Sequence, residues 1–303
     1  MNDQLKKVTS FLTSMTAACA MAQAAALAAS PLQDASTASS GKQTYSRYLQ
    51  LADSARYYIG MEKWSDAARC TREAMRLEPG NVGNTMLFSN LGLAAGMEGK
   101  IGEAMECFDI ALARAPKSIP VLTSKAKIQL QASDTEGAKE TLDTILSLDS
   151  VAEWPLMTRG LLRMREAEYR GAFEDFTTLT KSHPDNSWGP GGLAKCMELQ
   201  GYQSEAAGYY ADAIAKTLPD DEDRVEFQLG LIENLGHTGK LTDALDAAKE
   251  AISEHPHDGR LYLLRGWIKK LLLIYREAEA DKKLAIDYGV DYQTIERFFP
   301  EKR

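Results

Sequence analysis

Residues 85–118 read TMLFSNLGLAAGMEGKIGEAMECFDIALARAPKS. The stretch carries a small residue at two points, Gly92 and Ala104, with a Glu-Gly-Lys turn signal between them at 98–100. It closes on Pro116, and proline cannot continue a helix. These features predict two helices joined by a short turn and ended by a proline.

The two small residues recur along the whole chain in one register. The second of them is alanine at seven positions, separated by 37, 34, 34, 34, 38 and 34 residues: Ala67, Ala104, Ala138, Ala172, Ala206, Ala244 and Ala278. The first lies twelve residues upstream of each alanine and is Ala or Gly at six of seven positions: Ala55, Gly92, Ala126, Gly160, Ala194, Ile232 and Gly266. A fixed period near 34 residues indicates stacked helical hairpins. The small residues mark helix crossings, where a larger side chain would push the helices apart.

At these residues the chain resembles the tetratricopeptide repeat family, whose pattern places an aromatic residue four positions after the second-helix alanine. Phe108, Phe176 and Tyr210 occupy that position here, and Leu142 is an aliphatic substitute. The resemblance implies an all-α fold, a right-handed α-solenoid of about seven stacked antiparallel helix pairs. A short C-terminal capping helix follows, since an open array needs its last apolar face covered.

The register divides the chain into four parts. Residues 1–24 are predicted to be a secretory signal segment, 25–46 a Ser/Thr/Ala-rich flexible linker, 47–290 the repeat array, and 291–303 the capping helix and tail. The seven units are about 48–81, 85–118, 119–152, 153–186, 187–220, 225–258 and 259–290.

Unit six departs most from the repeat pattern. Ile232 replaces the small first-helix residue, and Ala248 replaces the second-helix aromatic. From the larger side chain at the crossing we expect this hairpin to splay slightly or to shift register.

The amino-terminal segment has Lys6 and Lys7, an apolar run over 8–21 and small residues at 22–24, the order of a secretory signal. The apolar run is shorter than the roughly 20 residues of a transmembrane span. We therefore expect a periplasmic or secreted protein. Two alternatives stay open: cleavage that leaves Cys19 as a lipidated terminus, and an uncleaved Ala-rich helix on a cytoplasmic protein.

Composition limits the kinds of partner. The formal net charge is −8, which gives no broad attraction to nucleic acid or to anionic lipid, so we expect a protein or peptide partner. The four cysteines form no CxxC pair, and Cys70 and Cys107 occupy the same phase of neighbouring repeats. Equivalent positions on stacked helices lie roughly 8–10 Å apart, whereas a disulfide needs Cα atoms within about 7 Å, so we expect free thiols that pack in the interior.

No catalytic, cofactor-binding or metal-binding residue can be proposed from the sequence. The glycine-rich run 188–192 lacks the Lys-Ser/Thr ending and the preceding strand of a phosphate loop. His255 and His257 offer two metal ligands where a site usually needs three or four. The pattern predicts a protein that is not an enzyme.

In the resembling family the first helices line the concave face of the superhelix. Applying the helical period to each unit predicts the following groove residues: Arg56, Asn90, Met97, Lys127, Trp154, Met157, Leu161, Met164, Trp188, Lys195 and Trp267. Met and Trp suit such a groove because Met adapts its shape and Trp offers a large contact area. Trp154 and Trp188 are equally consistent with packing between adjacent helices.

The function that follows is a non-catalytic scaffold that binds a partner protein or peptide in the concave groove. The alternative is an architectural subunit of a cell-envelope assembly that uses its ends or its convex face.

Overall fold

The protein, for which a computed structural model was analysed, is described over residues 39–300. The predictions for the signal segment, for Cys19 and for the linker up to residue 38 lie outside the described residues. Fifteen helices occupy the described part of the chain. In order they are α1 (Ser39–Gly60), α2 (Trp64–Leu77), α3 (Asn84–Met97), α4 (Ile101–Arg114), α5 (Ile119–Gln131), α6 (Thr135–Leu148), α7 (Glu153–Arg165), α8 (Tyr169–Ser182), α9 (Trp188–Leu199), α10 (Gln203–Ile214), α11 (Glu222–His237), α12 (Leu241–Glu254), α13 (Gly259–Leu271), α14 (Tyr275–Asp287) and α15 (Tyr292–Phe298).

Helices α1 to α14 form seven consecutive pairs. Within the described residues, the most extensive packing joins helices that follow one another in the sequence. First helices of adjacent units also touch, as α3 does α5 and α11 does α13. The predicted all-α solenoid of helix pairs is confirmed. The chain also divides into two compact parts, one ending at Pro155 and one beginning at Leu156. We call these two parts the first unit and the second unit; the helix pairs keep their names, units one to seven.

The linker prediction is wrong at its carboxyl end. Helix α1 begins at Ser39 and therefore includes residues 39–46. Tyr45 stacks on Tyr48 at a ring-centroid distance of 6.1 Å. Both rings pack on the cluster that Leu51 and Ala55 form in the first unit, so the apolar face of the helix continues amino-terminally beyond the repeat register.

The two small-residue columns are buried in the helix crossings, as predicted. A Cβ atom placed on Gly92 would lie 3.0 Å from the carbonyl oxygen of Ala104, and one on Gly266 would lie 3.0 Å from that of Ala278. The aromatic position is filled as predicted too, and Phe108 and Phe176 have no exposed surface. The columns let the backbones of each pair approach closely.

Unit six keeps the register that its larger first-helix residue was expected to disturb. Ile232 and Ala248 are both fully buried, and the turn glycine Gly239 keeps the same place as in the other units. Where unit four has Gly160 against the ring of Phe176, unit six has the larger Ile232 and the smaller Ala248 in one buried core cluster. The two exchanges of volume offset each other.

The turn inside every helix pair contains one residue with positive φ. Seven residues share this position: Glu62, Gly99, Ser133, Ala167, Gly201, Gly239 and Leu273. The turn closes by backbone bonds back into the first helix, as in Lys100 N–H to Ala95 O at 2.9 Å and Ile274 N–H to Lys269 O at 2.9 Å. These are Schellman-type helix ends, in which a left-handed residue satisfies the last carbonyls.

The capping helix predicted for the carboxyl terminus is α15. Its amino end is capped by Asp291, whose carboxylate accepts from the backbone N–H of Thr294 at 3.0 Å. Ile295, Phe298 and Phe299 are buried in the core cluster of the second unit. The helix thus covers part of the apolar end of the last repeat.

Candidate functional site

The predicted groove residues fall into both compact units, and each unit is described by itself. In the first unit all five predicted residues keep some exposure: Arg56, Asn90, Met97, Lys127 and Trp154. We call these five residues the first-unit face.

The centre of the first-unit face is a cation–π pair. Lys127 follows the buried column residue Ala126 on α5, and its ammonium lies over the ring of Trp154 at 5.3 Å from the centroid. Trp154 is half-buried at the start of α7. Such a pair contributes about 0.5–1 kcal/mol at a surface.

Met97 ends α3 near its crossing with α5. Its predecessor Gly96 approaches α5 so closely that an added Cβ would meet Ile128 at 2.6 Å, and Ile128 directly follows Lys127. Met97 is 39% exposed, so a flexible apolar side chain is accessible at the end of α3.

Arg56 and Asn90 complete the face on α1 and α3. Arg56 is exposed and paired with the carboxylate of Asp53 one helical turn earlier. Asn90 is half-buried. The first-unit face therefore combines a cation, an aromatic ring, a methionine and hydrogen-bonding groups.

The groove prediction is wrong for four residues of the second unit. Met157, Leu161, Met164 and Trp188 are all buried, and Leu161 has no exposed surface. Helix α7 buries residues on both sides of its axis, Leu161 and Leu162 among them, so it has no free apolar face for a partner. The helical period gave the side of each residue but not what packs against that side.

Trp188, at the start of α9, is buried by residues of α11. Its indole N–H donates to Asp223 on α11 at 2.9 Å, and its ring meets Phe227 edge-on at 5.8 Å between centroids. The glycines beside it admit these rings, because a Cβ on Gly191 would lie 2.4 Å from Phe227. The glycine-rich run is therefore a close contact between α9 and α11.

Lys195 belongs to a polar network in the second unit. Its ammonium contacts Glu198 at 2.7 Å, and Tyr210 donates its hydroxyl hydrogen to the other oxygen of Glu198 at 2.6 Å. Burial acts to raise the pKa of Glu198, but Lys195 and Tyr210 outweigh it and lower the pKa overall. Burial, and then the Glu198 carboxylate, raise the pKa of Tyr210 well above its ordinary range. The network holds an ionised carboxylate between helices, which is a structural role.

Trp267 is half-buried and packs between two rings. His237 lies 5.0 Å and Phe298 5.2 Å from it, measured between ring centroids. Arg297 on α15 pairs with Glu233 on α11 and closes the same side. The capping helix thus covers much of the ring that the sequence predicted for the groove.

Two buried ion clusters were missed by the sequence analysis. Asp175 on α8 contacts Arg159 at 2.6 Å and Arg163 at 2.8 Å. Unit seven repeats the arrangement, with Asp281 on α14 at 2.5 Å from Arg265 and 2.9 Å from Lys269. The signal was present: in both units an Arg-Gly pair includes the first-column glycine, and an aspartate follows the second-column alanine by three residues.

Cys196 is a buried free cysteine of the second unit. Burial raises the pKa of the Cys196 thiol to about 12, which keeps it protonated.

His255 and His257 line a surface groove of about 660 Å³ together with Asp258 and Tyr288. In the part of the chain that the structure describes, no three His, Cys, Asp or Glu side chains are grouped to hold a metal ion. None of the helices from α1 to α15 is long and apolar enough to cross a membrane.

The repeated hairpins define the class of the protein, an all-α solenoid of the tetratricopeptide type. No known family model matches the sequence. A tetratricopeptide repeat protein from Parabacteroides merdae superimposes with a TM-score of 0.58 at 25% identity, over 84% of this chain and 97% of that one. The chain therefore has the fold of the tetratricopeptide repeat proteins.

More distant similarities agree on the fold. YrrB, a tetratricopeptide repeat protein with an unusual peptide-binding site, matches with a TM-score of 0.53 at 18% identity, over 63% of this chain and 96% of its own. PilF of Pseudomonas aeruginosa matches with a TM-score of 0.54 at 17% identity, over 72% of this chain and 93% of its own. The curated protein NPGR2 of Arabidopsis thaliana is 33% identical over 85 residues, and this chain spans only 11% of its length.

Proposed function

We propose that the chain is a non-catalytic scaffold that binds a segment of a partner protein on the first-unit face. The coarse part of this statement follows from the fold, since its structural neighbours are repeat proteins of an interaction-scaffold type. The choice of face and of partner chemistry is the proposal.

The pair of Lys127 and Trp154 is the observation that carries the proposal. A tryptophan that keeps part of its ring exposed under a lysine offers both apolar area and positive charge at one point. Tryptophan is enriched among the residues that carry most of the binding energy in interfaces. The pair suits an amphipathic segment whose carboxylate meets Lys127 while an apolar side chain covers the ring.

Met97 supports the same occupant. An exposed methionine at the end of α3 can adapt to the apolar side of a segment without a fixed pocket. YrrB, which shares the fold, has a peptide-binding site that is called unusual, and this supports the choice of a peptide segment as the occupant. The partner's identity is left to experiment.

Capture from the native host tests this proposal. The full chain, crosslinked in place and analysed by mass spectrometry, should retain one or more partners whose recovery Trp154→Ala lowers by about thirtyfold or more, since a truncated hot-spot residue costs about 2 kcal/mol or more. Tyr202→Ala is the matched control, because Tyr202 is an exposed aromatic residue (53%) on a turn of the second unit.

The outcomes separate clearly. Loss of a partner with Trp154→Ala but not with Tyr202→Ala supports the first-unit face. Equal recovery with all three chains would show that partners bind elsewhere. A turnover found in a broad hydrolase and transferase screen would contradict the non-catalytic part.

We infer a periplasmic or secreted location from the order of charged, apolar and small residues in 1–24. Intact-mass analysis of protein from its own host distinguishes the alternatives. Cleavage near Ala24 supports export, a lipid on Cys19 indicates a membrane-anchored form, and an unprocessed chain indicates a cytoplasmic protein.

A further inference from the structure

The turn of unit seven exposes a cluster of large apolar side chains. Residues 271–275 read Leu-Leu-Leu-Ile-Tyr and join α13 to α14. Leu273 is 69% exposed and Tyr275 59%, with Leu271 and Ile274 also exposed, while Leu272 packs into the core. Scattered exposed apolar residues are normal, but a contiguous group marks an interaction surface. We call Leu271, Leu273, Ile274 and Tyr275 the apolar turn.

Leu273 holds a backbone conformation that costs free energy. Its φ is +65°, at the position that Gly201 and Gly239 occupy in the two preceding units. A left-handed conformation costs a residue with a Cβ about 1–2 kcal/mol, and the exposed side chain gains little burial in return. Glu62, Ser133 and Ala167 hold the same conformation in other turns, so Leu273 is set apart by its large exposed apolar side chain.

The charge around the apolar turn differs from that of the whole chain. Residues 259–276 contain five Lys and Arg and no Asp or Glu, although the chain carries a net charge of −8. Within this stretch Arg260, Arg265 and Lys269 are paired with carboxylates of other segments. Lys270 and Arg276 flank the turn itself. Lys270 donates to the carbonyl oxygen of Phe298 at 3.3 Å and lies over the ring of Phe299, whereas Arg276 is exposed at the start of α14.

We propose that the apolar turn docks on the surface of a membrane that contains anionic phospholipid. Leucine, isoleucine and tyrosine side chains enter the boundary between headgroups and acyl chains, and Arg276 lies at the level of the phosphates. The turn is an exposed helix connection, which suits a deformable surface, and the positive charge of Arg276 complements anionic headgroups. This contact uses the second unit and does not depend on the first-unit face.

Vesicle flotation with the full chain tests the proposal. The probes are vesicles of phosphatidylcholine alone and vesicles of phosphatidylcholine with phosphatidylglycerol. Leu273→Gly should reduce the fraction bound to the anionic vesicles about tenfold, since withdrawing one leucine from an apolar environment costs about 1.5–3 kcal/mol. Its melting temperature should be unchanged or higher, because glycine suits a positive φ.

The control and the contradicting results are specific. Tyr202→Ser removes an exposed aromatic residue from another turn of the second unit and should float like the wild type. Ile274→Ser should weaken binding in the same direction as Leu273→Gly. The proposal is overturned if wild type binds neither vesicle, if it binds both equally, if Leu273→Gly binds as well as wild type, or if crosslinks from the turn reach only a protein.

Discussion

The hairpins of units four and seven share an interior and differ in the turn that joins their helices. In both, two basic residues on the first helix enclose a buried aspartate on the second, Asp175 in one and Asp281 in the other. Unit four turns through Arg-Glu-Ala-Glu at 165–168, which has three charged residues, whereas unit seven turns through Leu271–Ile274. The repeated interior holds the hairpin, and the turn is left to vary with function.

Removing the shared aspartate should have the largest effect. Asp175→Ala and Asp281→Ala should each lower the free energy of unfolding by about 3 kcal/mol, since each removes the buried carboxylate that two basic side chains share. The value is at the lower end for a buried pair because Arg159 and Arg163 keep partial access to water. Urea denaturation followed by circular dichroism measures it.

Glu174→Ala is the matched control for these two variants. Glu174 is a neighbouring carboxylate on the same helix, pairs with Arg170 and is exposed, so its loss should cost less than about 0.5 kcal/mol. Equal effects for Glu174→Ala and Asp175→Ala, or a large effect in only one of the two hairpins, would break the comparison between units four and seven.

The helix crossing gives the next largest effect. Gly160→Ile should destabilise the chain by about 2 kcal/mol, because a Cβ there already lies 2.8 Å from the ring of Phe176. Adding Phe176→Ala should recover part of the loss, since it recreates the combination of Ile232 and Ala248 in unit six. Double-mutant denaturation curves measure the coupling, and strictly additive losses would contradict the volume argument.

The fold could be predicted because its determinants are local and periodic. The alanine and glycine columns occupy each helix crossing, and the aromatic residue follows at a fixed spacing, so Gly92, Ala104 and Phe108 identify one hairpin. The carboxyl-terminal cap followed from the need to cover an open end.

The face was predicted less well because burial depends on neighbouring helices. Helical period alone cannot distinguish Trp154, which stays half-buried beneath Lys127, from Trp188, which α11 covers. The start of α1 at Ser39 was missed for a similar reason, since packing of Tyr45 and Tyr48 outweighs the Ser-rich composition before them.

Asp223 is a half-buried carboxylate that accepts a hydrogen bond from the indole of Trp188, whereas Asp175 and Asp281 contact basic side chains. Burial, and then Asp221, raise the pKa of Asp223 to about 6, although its bond from Trp188 acts to lower it. The folded chain thus binds the proton of Asp223 more tightly than the unfolded chain does. The contribution of this group to stability should therefore fall as pH rises from about 4 to about 6 and then level off.

Asp223→Asn removes that titration and keeps an oxygen that accepts from Trp188. At pH 7 it should be more stable than wild type by up to about 1 kcal/mol, a value reduced for solvent screening, and near pH 4 the two should be equal. Thermal unfolding at several pH values measures the difference. Asp246→Asn, which removes an exposed carboxylate on α12 that does not act on Asp223, should leave the pH profile unchanged, and a stability difference between wild type and Asp223→Asn that stays constant between pH 4 and 6 would contradict the assignment.

Exchange of the two turns tests most directly whether the repeated interior and the variable turn act independently. Leu271→Arg, Leu273→Ala and Ile274→Glu together place the residues of the unit-four turn in unit seven and leave the packed Leu272 in place. In flotation with anionic vesicles this chain should bind at least about tenfold less than wild type while unfolding at the same temperature within about 3 °C. Undiminished flotation, or a loss that occurs only together with a lower unfolding temperature, would contradict the account.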